Sequence, residues 1–579
     1  MRVTAGQAAA AVATMVAALL LIGAAPLAAQ TITRSVVGTG GAIATNGVVH
    51  IAGTLGQPSI GPSSGAAQVA QLGFWPITLN GPFAPGPGDT DGDGMSNECE
   101  LRYGLDPLQA ADATADPDHD GKTNLEECIA GTNPHGFYKY YLAEGASNAF
   151  FSTRLALLNP GSGPATVVTE FLPAAGGVVQ VNPSTIPART RLTQDVATLP
   201  NPPGNDFSTV VESDVPLVVE RTMTWDRSGY GSHAETATTA PATDWYLAEG
   251  ATHGRFDLFY LLQNPGDVPA DVTVSYLRPA GAAPIVKTYA VAANSRRTIW
   301  VDTEDPALAA VDLSASIHAT APIIVERAMY LSNAGQPFAG GTAAMGVTTP
   351  GPNWFLAEGA TGSFFDLYLL IANPTTADAN VRVTYLLATG QNIVKDYTVS
   401  ASSRYTISVA GEDPALASAS VSMMVQSMNA VPLIVERSMW WPAPGPWYEG
   451  HSAIGAQTTG TRWALAEGEE GGAANVQTYV LIANTSTSAG SAKVTLLFED
   501  GTSAEQTLPL PASSRVNVPI GVAFPDAFSA AGTVGKRFGI IVDSLGASPA
   551  QIVVERAMYS DANGVVWAGG TDVLATKLP

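Results

Sequence analysis

Two stretches of the chain space their side-chain oxygens as a hard divalent cation requires. Asp89, Asp91, Asp93, Gly94, Asn97 and Glu100 occupy positions 1, 3, 5, 6, 9 and 12 of a calcium loop, and Asp116, Asp118, Asp120, Gly121, Asn124 and Glu127 repeat the pattern. The first three carboxylates converge as the loop winds round the ion, Gly takes the sharp turn, and the closing Glu reaches back with both oxygens. Position 7 contributes its backbone carbonyl, so Met95 and Lys122 both suit it. His119, at position 4 of the second loop, is expected to face solvent. An acidic solvated linker would also be rich in Asp and Gly, but would not keep both Gly and both closing Glu in register. The expected cofactor is Ca²⁺. Without it the carboxylates repel one another, so binding should couple to folding of the segment.

The only two cysteines, Cys99 and Cys128, each adjoin a closing Glu. In an exported chain two cysteines in one small module should form a disulfide, worth about 3 to 4 kcal/mol by loop closure.

A second constellation recurs. Leu-Ala-Glu-Gly occurs four times, with Glu144, Glu249, Glu358 and Glu467, and Val-Glu-Arg-x-Met follows each, with Glu220 and Arg221, Glu326 and Arg327, Glu436 and Arg437, and Glu555 and Arg556. Paired carboxylates could serve as the acid and base of a glycosidase. Four copies in apolar surroundings beside an Arg fit a structural ion-pair network better, since catalysis gains little from repetition. A further Arg recurs at Arg191, Arg296, Arg404 and Arg515. The sequence leaves open which Glu it partners.

Short strands must carry these residues. In the third repeat, segments 368–372, 381–387, 392–399, 404–409, 421–426 and 432–440 read as strands, with Val381, Val383 and Tyr385 alternating against Arg382 and Thr384. Val272, Val274 and Tyr276 echo this in the second. Turn signals separate them: Asn159-Pro160, Asn264-Pro265, Asn373-Pro374 and Asn484-Thr485, then Gly281, Gly390 and Gly501. This density of strands predicts mostly β architecture, four tandem immunoglobulin-like antiparallel sandwiches, each a self-sufficient unit held by packing without a cross-sheet disulfide.

Composition narrows the function classes. Asp and Glu total 50 against 27 Lys and Arg, a net charge of -23 that disfavours nucleic acid. With 13% charged and 46% hydrophobic residues, the balance suits an extracellular β protein. Arg2, the apolar run 8–25 and Ala28-Ala29 read as a signal peptide over residues 1–29, with no transmembrane segment after cleavage. Residues 30–80 form a Gly-rich β segment with strands near 33–37, 48–52 and 68–75, where Phe74 and Trp75 plug a small core. Residues 81–88 are a Pro/Gly linker. A calcium module over 89–137 and repeats over 138–243, 244–351, 352–460 and 461–579 complete the expected organisation.

The runs Asp-Thr-Asp-Gly-Asp-Gly-Met-Ser-Asn from Asp89 and Asp-Pro-Asp-His-Asp-Gly-Lys-Thr-Asn from Asp116, with Gly131-Thr132-Asn133-Pro134, resemble thrombospondin type 3 and related EF-hand-like calcium repeats. The later units, with Trp245 to Gly250, Asn264-Pro265, Ser295-Arg296, Glu326 to Tyr330 and Gly340-Gly341, resemble a tandem domain family of uncharacterised function in large secreted bacterial proteins. The first repeat departs from that family by lacking Trp before its Leu-Ala-Glu-Gly, and the fourth by an insertion around 524–537. The resemblance implies an exported surface or matrix role and no catalytic residue.

The expectation is therefore a secreted or cell-surface, calcium-stabilised, non-enzymatic protein with a structural, adhesive or ligand-presenting role. Its expected partners are cell-surface or matrix glycans or proteins. The alternative is a secreted hydrolase or a carbohydrate-binding appendage of one. Trp440, Trp441, Trp447 and Tyr448 form an aromatic cluster that could stack on sugars, although packing between repeats accounts for it better.

Overall fold

In a computed structural model the described residues are four strands between 42 and 72 and residues 88–579, apart from 175–179, 200–201, 227–230, 281, 334–335 and 529–534. The expected signal peptide, linker residues 81–87, and Phe74 and Trp75 lie outside them. The chain forms two compact units, the second holding Pro117–Asp120 and His135–Pro579.

In the first unit, Ala42–Thr45, Val49–Gly53, Gly61–Gly65 and Gln68–Leu72 pair in sequence order as an antiparallel sheet. Two short helices follow, α1 (Asn97–Tyr103) and α2 (Asn124–Ala130). Ser96 caps α1 by accepting from the Cys99 amide, and Thr123 with Glu126 forms a reciprocal capping box on α2. Both helices end on a left-handed glycine, Gly104 and Gly131. Neither helix buries much apolar surface, and the Cys99–Cys128 disulfide ties them together with Cα atoms 5.9 Å apart.

The second unit consists of four antiparallel β-sandwiches. In the first repeat, β1 (Tyr138–Leu142), β2 (Phe151–Asn159), β3 (Ala165–Pro173), β4 (Gln180–Ile186), β5 (Thr190–Asp195), β6 (Phe207–Ser213), β7 (Val218–Trp225) and β8 (Gly231–Thr236) form two sheets, ordered β1-β6-β3-β4 and β8-β7-β2-β5. The third repeat reproduces both sheets strand for strand. In the second, one strand of twenty residues, Ser314–Asn333, does the work of two and joins the sheets. In the fourth, a short helix α3 (Ile520–Ala523) leads into the insertion and a second, α4 (Pro525–Phe528), lies at its start, and Thr576–Lys577 covers the edge of the first strand.

Alternation decides which face is buried: Val381, Val383 and Tyr385 are at most 1% exposed, whereas Arg382 and Thr384 are partly exposed. The recurrent Asn proves to be more than a turn former. Asn159, Asn264, Asn373 and Asn484 are fully buried. Each donates through Nδ2 to carbonyls of two neighbouring loops, Ala377 and Val399 in the third repeat, and accepts an amide through Oδ1. The indoles of Trp245, Trp354 and Trp463 tie the first strand to a carbonyl of the facing sheet. In the first repeat, where Trp is missing, the Tyr140 hydroxyl accepts from the Leu217 amide instead.

The sandwiches also pack on one another. Their last strands, β8, β9 (Gln336–Met345), β10 (Glu449–Ile454) and β11 (Val565–Leu574), pack against one another in a cycle: β8 on β9, β9 on β10, β10 on β11, and β11 back on β8. The repeats thus close into a ring. Aromatic residues seal the boundaries: Trp440 packs on Phe256 of the second repeat at 4.9 Å, stacks on Trp447 at 5.8 Å, and the Trp441 indole donates to the Trp567 carbonyl of the fourth.

Candidate metal centre

The first acidic loop folds round its own backbone amides. Asp89 accepts through Oδ1 from Gly92 at 2.7 Å and through Oδ2 from Gly94 at 3.0 Å, while Asp93 Oδ1 accepts from Met95 at 2.8 Å. Gly94 has φ 98°, a left-handed conformation in which a side chain would be strained and would press on Leu125. These turns bring carboxylate oxygens of Asp89, Asp91 and Asp93 within 4.8 Å of one another, and likewise those of Asp93, Glu100 and Asp112.

Asp112 is a ligand candidate that the twelve-residue spacing misses. It begins a 3-10 helix between the loops, with its Oδ2 accepting from the Asp106 amide. The available signal was its place in the acidic run leading to Asp116. Buried oxygens of Asp91 (Oδ2), Asp93 (Oδ2), Glu100 (both) and Asp112 (Oδ1) have no hydrogen-bond donor. Burial, and then the charges of Asp91, Asp93, Asp112 and Asp89, push the Glu100 carboxyl up to about 7. Burial likewise raises Asp93, against the opposing Met95 amide. Several hard oxygens turned inward without donors are the complement of a cation, and this donor set fits Ca²⁺. Met95 is buried at position 7. Asn97 at position 9 is engaged with Thr90, whose amide it accepts while donating back to the hydroxyl at 2.7 Å.

In the second loop, Asp116, Asp118 and Asp120 bring carboxylate oxygens within the same 4.8 Å. Gly121, φ 93°, donates to Asp116, and Asp120 donates its amide to Asp118. Asn124 donates to the Asp112 carbonyl at 2.8 Å, which leaves a buried Oδ1 on the loop side. Glu127 is buried beside it and accepts from the Thr132 hydroxyl. Lys122 and His119 are exposed.

The recurrent Glu and Arg residues work across repeat boundaries. Glu326 accepts from the Ala143 amide at 2.5 Å and from Arg221 at 2.7 Å, both in the first repeat. Glu436 does the same with Ala248 and Arg327 of the second, and Glu555 with Ala357 at 2.6 Å and Arg437 at 3.0 Å of the third. Glu220 of the first repeat closes the cycle with Ala466 at 2.6 Å and Arg556 at 3.0 Å of the fourth. All eight of these side chains are fully buried. The third recurrent Arg also reaches back: Arg296, Arg404 and Arg515 donate to the carbonyls of Gly145, Gly250 and Gly359 in the preceding repeats, and Arg191 lies 3.4 Å from Glu499 of the fourth. Of the Leu-Ala-Glu-Gly carboxylates, burial raises Glu144 and Glu249, while at Glu467 burial is outweighed by Arg154, Arg556 and Arg191, which hold it at about 2.

Where the four last strands meet, one carboxylate collects amides from every repeat. Glu449 accepts through Oε1 from Gly341 at 2.8 Å and Gly450 at 2.9 Å, and through Oε2 from Ser232 at 3.2 Å, with the Gly570 amide turned toward it. Burial raises its carboxyl well above the usual carboxylate range, and these amides offset that shift only in part.

Residues 89–110 match the bacterial TSP3 repeat family. No curated protein matches the chain. Among solved structures, Thermotoga maritima 1070 is similar at 13% identity over 18% of this chain and 94% of that one, with a TM-score of 0.17. The Anabaena sensory rhodopsin transducer follows at 20% identity over 15% and 91%, TM-score 0.13. A tetra-tandem repeat from the extending region of a large adhesion protein shares 11% identity over 72% and 93%, TM-score 0.09. Among the described residues, no helix is long and apolar enough to cross a membrane.

Proposed function

We propose that this is a secreted or cell-surface, calcium-stabilised structural protein that presents surface to an extracellular ligand or matrix and catalyses no reaction. The observation that carries this reading is the closed cycle of buried Glu–Arg pairs. The recurrent carboxylates that could have formed a catalytic pair are bound instead by amides and guanidiniums of the neighbouring repeat. The acidic loops supply the second element, since donor-free oxygens held at cation distance make a module stiffened by Ca²⁺. Extracellular modules of this kind bind in the range of about 10⁻⁴ to 10⁻³ M, which external calcium saturates. The partner class that suits an exported, sparsely charged and net acidic β protein is cell-surface or matrix glycan or protein.

The test is to screen the purified full chain against cell-wall and matrix glycans and proteins, with calcium and with chelator, reading binding and turnover together. Binding without turnover is the expected result. Glycan cleavage that is lost in Glu467→Gln would overturn the reading in favour of a hydrolase.

A further inference from the structure

The hub of the ring has a composition that its four repeats do not share. Opposite the end of the preceding strand, β8 carries Gly231 and β9 carries Gly340, whereas β10 carries Glu449, paired with Trp441. There is room for only one side chain. A Cβ on Gly340 would fall 2.5 Å from the Tyr448 carbonyl, 2.6 Å from Glu449 Cα and 2.7 Å from its Oε1. The next residue in each repeat, Ser232, Gly341, Gly450 or Gly570, then turns its amide N–H toward the same carboxylate. Side chains on Gly450 or Gly570 would strike Trp440 or Trp441 at 2.3 and 2.4 Å, so close approach of all four strands depends on these glycines.

We propose that the junction of the four repeats is an anion hole made of converging backbone amides, with a carboxylate as its ligand class, and that Glu449 is the chain's own built-in occupant. Converging donors with no acceptor among them select an ionised carboxylate by geometry, since a neutral acid would turn its own O–H against one of them, and burial is the force that works against that charge. Because each donor comes from a different repeat, the hole exists only when the ring is closed. Glu449 is thus the keystone that favours closure. The inference is independent of the ligand-presenting role proposed above, because it concerns how the ring is held.

The experiment uses the full chain with Glu449→Ala, followed by thermal melts with added formate and, in parallel, formamide, which has similar size but no charge. The variant is expected to melt lower by about 5 °C, as suits converging amides losing one acceptor within a large cooperative unit. Formate should restore much of that loss saturably, formamide should not, and the wild type should respond to neither. A variant that melts like the wild type, or formate and formamide acting alike, would overturn the proposal. Should Glu449→Ala fail to fold with or without formate, Glu449→Gln decides: the amide keeps the shape but replaces an acceptor by a donor. A clear drop in its melting temperature supports the anion hole, and a wild-type melt refutes it.

Discussion

Replacing Glu220 by Ala removes the acceptor that the first repeat presents to the fourth, because this carboxylate holds both the Ala466 amide and the Arg556 guanidinium. Both charged partners are fully buried, and stranding one member of such a pair costs about 3 to 5 kcal/mol. How that cost appears in a melt depends on whether the ring unfolds as one. Unfolding entropy is about 2.1 cal/mol/K per residue, so a unit of about 440 residues carries about 0.9 kcal/mol/K, and the midpoint should fall by only about 3 to 5 °C in a single transition. A lone sandwich of about 100 residues carries about 0.2 kcal/mol/K, and its own transition would drop by about 15 to 25 °C and separate from the rest. Differential scanning calorimetry of Glu220→Ala, Arg556→Ala and the double variant distinguishes the two. One transition, with coupling of at least about 1 kcal/mol between the sites, is the expected result. Independent transitions, or strictly additive effects, would refute the reasoning.

Calcium titration of chelated protein should show saturable binding in the range of about 10⁻⁴ to 10⁻³ M, and Asp112→Asn should weaken it although that residue lies outside the loop spacing; isothermal calorimetry reads both. Converting Cys99 and Cys128 to Ser should cost the calcium module about 3 to 4 kcal/mol, measured by proteolysis of that segment in calcium. Asn373→Ala should destabilise by about 2 to 4 kcal/mol, since it removes the donor to the Ala377 and Val399 carbonyls and the acceptor of the Thr375 amide, and denaturant melts will show it. Burial, and then the Glu326 charge, push the Glu235 carboxyl from 4.5 up to about 8. The folded state therefore binds a proton that the unfolded chain has lost, and stability should fall as pH rises from about 4.5 to about 8, then level off. Glu235→Gln should flatten that fall in melts at pH 5 and pH 8.

The calcium loops were legible because a cation's coordination imposes a fixed spacing on adjacent residues, and strand alternation was legible because one buried face imposes period two. The pairing of Cys99 with Cys128 followed from their being the only two cysteines in one small module, and the alternation from Val381 to Tyr385 rests on a single face. Asp112 escaped because its partner oxygens come from another element. Ring closure escaped for a related reason. Glu326 and Arg327 would look the same whether they paired within a repeat or, as they do, with Arg221 before and Glu436 after. Periodicity records what a segment buries and is silent on which copy buries it. Glu449 and Glu235 left one unused signal: an acidic residue on the last strand, at a position that the other repeats fill with Gly, Ala or Val.

Closure of the ring is tested most directly by the distance between its first and last repeats. Thr193 of the first donates its hydroxyl to Glu499 of the fourth at 2.5 Å, although hundreds of residues separate them. Spin labels on Thr193→Cys and Glu499→Cys in the full chain, read by pulsed dipolar spectroscopy, should give one narrow, short distance that persists on dilution. A broad distribution at long distance, as four sandwiches in a string would give, would contradict the account.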